Sequence, residues 1–277
     1  MKGTIISMPE AGEYKKRRIN ITNIWVDPID LDGAASVIAG LARERKNISI
    51  TNVSTSNVSS SYVCTPNAEF MMVAQDDKPF MDIINGAELV VADGAGVVLA
   101  ARLLGFGRID RTTGFDLTKK LVTDPGSYPF SFYFLGGKPG VAEKAARNVT
   151  DENPGVRVCG YHDGFFSEAE EPAIIDEINA SCADILFVAL GFPKAEKWIY
   201  LNREKLNVSV CMGVGGTLDI LAGELNPAPP FFRSHWLEWL YRLYREPWRA
   251  KRMLRLPRYV LHTIWWKFAG RPAPGRT

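Results

Sequence analysis

The sequence predicts an α/β fold, in which a mostly parallel sheet carries helices on both faces and is followed by a C-terminal basic helical appendage. Three observations predict it. Short apolar runs alternate with helical segments from residue 62 onward, polar and glycine-rich turns follow the apolar runs, and residues 233–277 differ in charge from the rest. Apolar strands that alternate with helices are typical of a parallel sheet covered on both faces.

The elements follow in order along the 277 residues. Residues 1–18 are predicted to be irregular, 28–46 to form a short helix, and 47–61, rich in Ser, Thr and Asn, to be a flexible insertion. Apolar runs predict strands at 62–65, 88–92, 130–135, 156–159, 185–189 and 208–212. The segments between them predict helices at 67–75, 95–104, 140–149, 168–180 and 194–204. The result is a Rossmann-like core over 1–232 and an appendage over 233–277.

The appendage is basic and rich in tryptophan. It holds eleven Lys or Arg residues against two acidic ones, and five of the seven Trp residues. A basic, Trp-rich segment on an acidic body indicates an anionic partner, and Trp favours the membrane–water boundary. We therefore expect an anionic membrane surface as partner. No nucleic acid is expected, because no nucleic-acid-binding motif accompanies the charge.

Targeting and redox features indicate the cytoplasm. The N-terminus shows no apolar leader, and the chain contains no uncharged apolar run long enough to span a bilayer. The four Cys residues show neither zinc spacing nor a CxxC motif. Buried free thiols in a reducing compartment are therefore the expectation.

Polar side chains stand where the predicted strands end, which is where ligands bind in such sheets. Asp93 follows strand 88–92 and could act as a general base, or it could cap the helix that begins near Ala95. Thr65 and Asn67 could hydrogen-bond a sugar or a phosphate. For Asn67, capping of the following helix is the simpler interpretation.

Two glycine-rich turns suggest phosphate binding. Residues 213–217 (GVGGT) present consecutive backbone N–H groups at a helix start, which suits an anion. Residues 94–99 resemble a dinucleotide-binding turn, but Leu99 replaces the small residue that close helix–strand packing needs there. An NAD(P)-dependent oxidoreductase stays open as an alternative that rests on this turn alone.

A metal is not expected. Asp30-Leu31-Asp32 matches a DxD pattern that many sugar-nucleotide enzymes use to hold a divalent cation. The pattern also precedes a predicted helix, where acidic side chains interact favourably with the helix dipole, and that interpretation is preferred. No His and Cys cluster indicates a metal, and we expect no other cofactor.

The appendage contains a pattern of apolar and basic side chains that suits a helix. Four apolar residues have the spacing of one helix face: Trp236, Trp239, Leu240 and Leu243. Four arginines would share another face if the helix continued past Pro247, where a break is expected: Arg242, Arg245, Arg249 and Arg252. Arginine forks bind diphosphate oxygens well, although a solvated face is the alternative interpretation.

Seven stretches, in order along the chain, resemble the motifs of the WecB/TagA/CpsF glycosyltransferase family. They are 65–69 (TPNAE), 92–98 (ADGAGVV), 111–117 (RTTGFDL), 134–137 (FLGG), 191–198 (GFPKAEKW), 213–216 (GVGG) and, in the appendage, 239–243 (WLYRL) with 246–249 (EPWR). Each stretch alone would be weak evidence. Their ordered set is specific, and it covers residues 62–258.

The resemblance implies a metal-free transfer of an N-acetylhexosamine with inversion at the anomeric centre. The sugar that family members transfer is, for example, N-acetylmannosamine. The donor would be a UDP-sugar and the acceptor undecaprenyl-diphosphate-linked N-acetylglucosamine, in the synthesis of wall teichoic acid or another surface polysaccharide. By position, Asp93 matches the catalytic base and Thr65 a pocket residue beside it. The implied substrate-binding residues are Asn67, Arg111, Lys194, Glu196, Gly213, Gly215, Gly216, Arg242, Arg249 and Arg252.

The family's appendage docks on the membrane, which implies a peripheral location at its inner face, and family members can form homo-oligomers. Two features depart from the family: Ala195 stands where Gln is usual, and the tract 47–61 is longer. A non-catalytic membrane-surface scaffold is a second alternative, but it leaves the polar turns unexplained. We also expect that removal of 233–277 leaves a folded core.

Overall fold

The computed structural model of the protein describes residues 18–50, 59–245, 247, 250 and 254–269, except for the side chains of residues 48–50, Arg233 and Arg242. The expectations for residues 1–17 and 51–58 lie outside this part of the chain.

The core is a six-stranded parallel sheet, which confirms the predicted fold class. Its strands are β3 (Ser61–Cys64), β4 (Leu89–Val90), β5 (Ser131–Gly136), β6 (Arg157–His162), β7 (Ile185–Ala189) and β8 (Val210–Gly213). They lie in the order β4-β3-β8-β7-β5-β6, and every neighbouring pair is parallel. Two shorter strands, β1 (Ile19–Ile21) and β2 (Ile24–Val26), form a separate antiparallel hairpin.

Helices cover both faces of this sheet and divide the core into two apolar clusters. One face carries α2 (Ala68–Asp76), α3 (Lys78–Asn85), α4 (Ala95–Leu103), α7 (Glu171–Ala180) and α8 (Lys194–Asn202). The other face carries α1 (Leu31–Ile50), α5 (Gly114–Thr123), α6 (Val141–Glu152) and α9 (Thr217–Leu221). Successive β5 side chains alternate between the clusters: Tyr133 belongs to the first and Phe134 to the second. Because both faces are covered, the inner strands β7 and β8 are buried throughout, whereas the edge strand β6 is polar at both ends and partly exposed.

The tract 47–61 differs from its expectation at both ends. Helix α1 continues to Ile50, so the first four residues of the tract are helical. At the other end Ser60 is buried, and its hydroxyl oxygen lies within hydrogen-bonding distance of two carbonyl oxygens, Leu206 at 3.0 Å and Val208 at 2.7 Å, which share its one proton. These contacts tie the start of β3 to the loop before β8.

The sequence analysis missed the β1–β2 hairpin and helices α3 and α5. Three-residue strands are too short for an alternating pattern to show. Helix α5 begins at Gly114, a poor helix former, and its signal is the cap before it. There the Thr113 hydroxyl accepts from the backbone N–H of Asp116 at 3.0 Å.

Among the described residues, three helices follow the core: α10 (Pro230–Ser234), α11 (Glu238–Arg245) and α12 (Arg255–Phe268). Helix α11 ends before Pro247, as expected. The predicted apolar helix face is wrong for Trp236, which lies before α11 in a left-handed backbone conformation (φ 61°) and packs against the core. Within the described residues, no helix combines the length and apolarity that crossing a membrane requires.

Helix α12 packs against α2 and α4. Tyr259, Thr263 and Trp266 are buried in this contact. At its edge two ion pairs have N–O distances of 2.8 Å, Arg255 with Glu69 and Arg258 with Asp76. Removal of residues 233–277 would uncover the α2 and α4 surfaces, so an undisturbed core is no longer the expectation.

The cysteines are free, and the expectation of buried thiols holds for two of them. Cys64 and Cys211 are buried, Cys159 is half-buried and Cys182 is exposed.

Candidate active site

The carboxyl ends of the parallel strands form one edge of the sheet. Helices α2 and α8, which follow β3 and β7, lie on one face, whereas α9, which follows β8, lies on the other. A crevice opens where neighbouring strands send their helices to opposite faces, and ligands of α/β sheets bind in such crevices. The topology therefore places the candidate site around the end of β8.

Asp93 and Thr65 lie together at this edge, joined by the first residue of α5. The backbone N–H of Gly114 donates to Asp93 Oδ2 at 3.2 Å. A methyl group added to Gly114 would lie 3.0 Å from Thr65 Oγ1. Asp93 is half-buried and Thr65 is buried. The structure thus brings the two residues that the sequence pairs as catalytic into one cluster.

The capping alternative for Asp93 is wrong. Gly94 occupies the N-cap position of α4 with a φ of 86°, a conformation that glycine adopts without strain. The Asp93 carboxylate lies instead at the start of α5. There it accepts a hydrogen bond from the N–H of Gly114, at the positive end of the helix dipole. A carboxylate at this position can act as a general base.

Asn67 caps helix α2, as the simpler interpretation predicts. Its side-chain oxygen accepts from the backbone N–H groups of Glu69 at 2.9 Å and Phe70 at 3.3 Å. Its Cβ is also within 3.8 Å of the place where a Gly94 side chain would stand. Asn67 therefore lies beside the Asp93 cluster, and its side-chain oxygen is engaged in capping helix α2.

A cleft with a volume of about 780 Å³ opens farther along the same edge, at the ends of β5, β6 and β7. Its lining residues are Gly137, Lys138, Gly164, Phe165, Phe166, Ser167, Ala189, Leu190, Gly191, Lys194 and Asp219. Glycine is required at the neighbouring Gly136, because a side chain there would lie 2.5 Å from the Ala189 carbonyl. Two lysines against one aspartate favour an anionic ligand in this cleft.

Lys194, the first residue of α8, is the predicted site residue that the cleft contains. Its Nζ lies 5.3 Å from the centroid of the Phe166 ring, a cation–π distance. Lys194 also stands at the N-terminus of α8, where the helix dipole has its positive end. Both features suit a phosphate group.

Glu196 is buried beneath the end of β8. It is 4% exposed, and a methyl group on Gly213 would lie 2.6 Å from its Oε1, so the carboxyl packs on the bare backbone of that glycine. Burial raises the pKa of Glu196 to about 7. Its Oε2 makes no hydrogen bond within the described structure. Gly215 and Gly216 complete the turn into α9, with Gly215 at a φ of 54°.

The predicted arginines have different outcomes. Arg111 forms a short charge-assisted hydrogen bond with Glu238 of α11, so the structure places it between the core and the appendage. The backbone of Arg242 lies in α11, but its side chain is outside the described residues. Arg249 and Arg252 lie wholly outside them.

The two aspartates of the DxD pattern, Asp30 and Asp32, stabilise the start of helix α1. Asp30 Oδ1 accepts from the backbone N–H of Gly33 at 2.8 Å, and Asp32 pairs with Lys120 at 2.7 Å. The helix-start interpretation of this pattern is confirmed. In the described part of the chain, no three His, Cys, Asp or Glu side chains lie close enough together to hold a metal ion.

The sequence analysis missed several residues of this edge. Gly114 lies within a recognised motif, but only the fold shows that its N–H reaches Asp93. Phe165 and Asp219 of the cleft lie outside every motif and carry no signal in the sequence. Glu238 is one of two acids in a basic segment, and that contrast is the signal that could have singled it out.

The sequence is similar to that of a known protein family over almost its whole length. The model of the family described as "Glycosyl transferase WecG/TagA/CpsF family" matches residues 19–273. That match spans the sheet, the crevice, the cleft and the C-terminal helices.

Two relatives carry the name N-acetylglucosaminyldiphosphoundecaprenol N-acetyl-beta-D-mannosaminyltransferase. The protein from Bacillus spizizenii is 34% identical over 200 residues, which are 72% of this chain and 77% of the relative. The protein from Bacillus subtilis is 32% identical over 202 residues, which are 73% of this chain and 78% of the relative.

Proposed function

The chain belongs to the WecG/TagA/CpsF glycosyltransferase family, and from this premise we propose that it transfers N-acetylmannosamine from a UDP-sugar to diphosphoundecaprenol-linked N-acetylglucosamine. The names of the two Bacillus relatives support the transferred sugar and the acceptor. The family assignment replaces the oxidoreductase and scaffold alternatives, because the chain is a glycosyltransferase.

One observation carries the mechanism: the Asp93 carboxylate lies at the carboxyl edge, held by the Gly114 N–H and adjacent to Thr65. In the proposed step Asp93 accepts the proton of the acceptor hydroxyl. The hydroxyl oxygen then forms a bond to the anomeric carbon of the donor while the bond from that carbon to the diphosphate oxygen breaks. The electron pair leaves with UDP, and the single displacement inverts the anomeric centre.

The UDP group is proposed to occupy the cleft beside this cluster. The Lys138 and Lys194 side chains and the N-terminus of α8 supply positive charge for the diphosphate. The exposed ring of Phe165 offers a stacking surface for the base, and Asp219 an acceptor for hydroxyl groups. This arrangement would put the sugar between the cleft and Asp93.

The lipid-linked acceptor is proposed to be reached from the membrane surface at its cytoplasmic face. Helix α12 presents five apolar side chains to solvent, on the side away from the core: Val260, Leu261, Ile264, Trp265 and Phe268. Helix α11 adds Trp239, Leu240 and Tyr244. An exposed apolar stripe with Trp beside basic residues suits an anionic bilayer interface. The family resemblance also supports the proposal that the chain forms a homo-oligomer.

The test is UDP release from UDP-N-acetylmannosamine by the full chain, with a short-chain lipid-diphosphate-N-acetylglucosamine acceptor, with and without EDTA. Release that requires the acceptor and survives EDTA supports both the reaction and its metal-free character. Release that EDTA abolishes would overturn the metal-free mechanism. The absence of release with this donor and with a panel of other UDP-N-acetylhexosamines would overturn the proposed reaction.

A further inference from the structure

Phe166 and Lys194 face each other in the cleft at the ends of β5, β6 and β7. Both side chains line the cleft, Phe166 from the loop after β6 and Lys194 from the first position of α8. The Lys194 Nζ lies 5.3 Å from the centroid of the Phe166 ring. A cation within about 6 Å of an aromatic centroid is attracted by the negative face of the ring. The contact therefore joins two walls of the cleft that come from separate segments of the chain.

The Phe166 ring is held in place by its other neighbours. It is half-buried, packs against the apolar cluster on the α8 face of the sheet, and meets the His162 ring edge-on at a centroid distance of 5.9 Å. His162 is itself fixed, because its Nδ1 donates to the Asp163 carbonyl oxygen at 2.8 Å, an atom that can only accept. Phe166 thus offers Lys194 a surface whose position is set by packing.

Lys194 differs in its partners from the next lysine of α8. Lys197 pairs with Asp77 at 2.9 Å, whereas Lys194 is exposed and forms no ion pair with an acid among the described residues. An exposed lysine without a partner samples many rotamers, and fixing them on a ligand costs entropy. The ring reduces this cost in advance, because it favours the rotamers that keep the ammonium at the cleft wall. The N–H groups that point away from the ring remain available to phosphate oxygens.

We propose that Phe166 is a positioning residue of the transferase, which holds the Lys194 ammonium where the diphosphate of the donor binds. Phe166 acts through Lys194 and needs no contact with the donor itself. The inference rests on the proposed function, which puts the UDP group in this cleft. It gives the two neighbouring aromatic residues separate roles, since Phe165 is exposed and offers its ring to the base, whereas the Phe166 ring faces the lysine.

The experiment measures the Kd of UDP for the full chain in a double-mutant cycle. The variants are Phe166→Leu, Lys194→Met and the two combined, together with Phe166→Tyr, which keeps an aromatic face. Phe130→Leu is the matched control. The Phe130 ring also faces a lysine ammonium, that of Lys46 at 5.8 Å, but it lies before β5 at the amino end of the strands, the opposite edge of the sheet. Melting temperatures check that all variants are folded.

Phe166→Leu is expected to raise the Kd of UDP by about two- to fivefold, the size of a cation–π contact at a partly exposed site. Lys194→Met is expected to raise it by roughly tenfold or more, the size of a charge-assisted hydrogen bond. In the Lys194→Met background, Phe166→Leu should cause no further rise. Phe166→Tyr should stay within about twofold of the wild type, because a tyrosine ring attracts a cation as well. Phe130→Leu should leave the Kd unchanged.

Three results would overturn the inference while the proposed function stands. One is a Phe166→Leu variant that binds UDP as tightly as the wild type. Another is a Phe166→Leu effect of the same size with and without the Lys194 ammonium, since the ring would then act by some other route. The third is an equal rise of the Kd in Phe130→Leu, which would reflect a general loss of stability. If the wild-type chain does not bind UDP at all, the proposed donor site is overturned and the inference with it.

Discussion

Trp265 and Trp266 are neighbours in sequence and lie on opposite sides of α12. Trp266 is 8% exposed and packs in the main core cluster, whereas Trp265 is 61% exposed. A single residue step, about 100° around the helix axis, thus separates a side chain that holds the helix on the core from one that faces outward. The pair provides a matched test of docking against membrane contact.

Trp265→Ala is expected to weaken binding to anionic vesicles by several-fold and to leave the free energy of unfolding within about 0.5 kcal/mol of the wild type. Trp266→Ala is expected to lower the free energy of unfolding by about 3 kcal/mol, since it removes a buried ring. Vesicle co-sedimentation and denaturant unfolding measure the two effects. Equal vesicle binding by wild type and Trp265→Ala would contradict the membrane-facing role of this side of α12.

Gly96 sets the close approach of α4 to α2. A methyl group there would lie 2.8 Å from the Ala68 Cβ and 3.7 Å from a ring carbon of Tyr259. Gly96→Ala is therefore expected to lower the free energy of unfolding by about 1–3 kcal/mol through overpacking. Gly40→Ala in α1 is the control, because a methyl group at Gly40 meets nothing within 4 Å. The control is expected to gain up to about 1 kcal/mol from helix propensity. A loss of similar size in both variants would contradict the account.

The buried carboxyl of Glu196 predicts a pH-dependent stability. Its pKa of about 7 in the folded chain lies above its ordinary value of 4.5, so the folded state holds a proton that the unfolded state releases. The wild type should therefore lose stability as pH rises from 4.5 to 7. Glu196→Gln should lack this decline and gain on the order of 3 kcal/mol relative to the wild type between pH 4.5 and pH 8.

Denaturant unfolding at several pH values measures that gain. The control is Glu152→Gln, since Glu152 is an exposed acid at the end of α6. The control should follow the pH dependence of the wild type. A Glu196→Gln variant with the wild-type slope between pH 4.5 and 8 would contradict a neutral, buried Glu196.

The parallel sheet could be predicted from the sequence because burial on both faces makes the inner strands nearly continuous apolar runs. β7 is the clearest case, since its predicted and observed bounds, Ile185–Ala189, are the same. The edge of the sheet could also be predicted, since Thr65 and Asp93 each follow such a run. The sequence alone could not show which residues from distant segments contact these side chains. Gly114, which lies 21 residues after Asp93 in the chain, is an example.

The docking of α12 could not be predicted for a different reason. The buried residues Tyr259, Thr263 and Trp266 are separated by exposed apolar residues, so their helical spacing is hidden by the surrounding composition. The charge bias of the segment indicated contact with an anionic partner and gave no sign of a contact with the core. The ion pairs of Arg255 and Arg258 with α2 show that part of this charge serves the contact with the core.

Acceptor-dependent turnover of Asp93→Asn tests the central claim most directly. Asn keeps the shape of the side chain and an oxygen that can accept from the Gly114 N–H, but it cannot take up a proton. Turnover is expected to fall by roughly 10²–10⁴-fold, the usual contribution of general-base catalysis, with unchanged affinity for UDP. Asp82→Asn on the surface of α3 is the control and should keep wild-type turnover. Near-normal turnover by Asp93→Asn would contradict the assignment of Asp93 as the catalytic base.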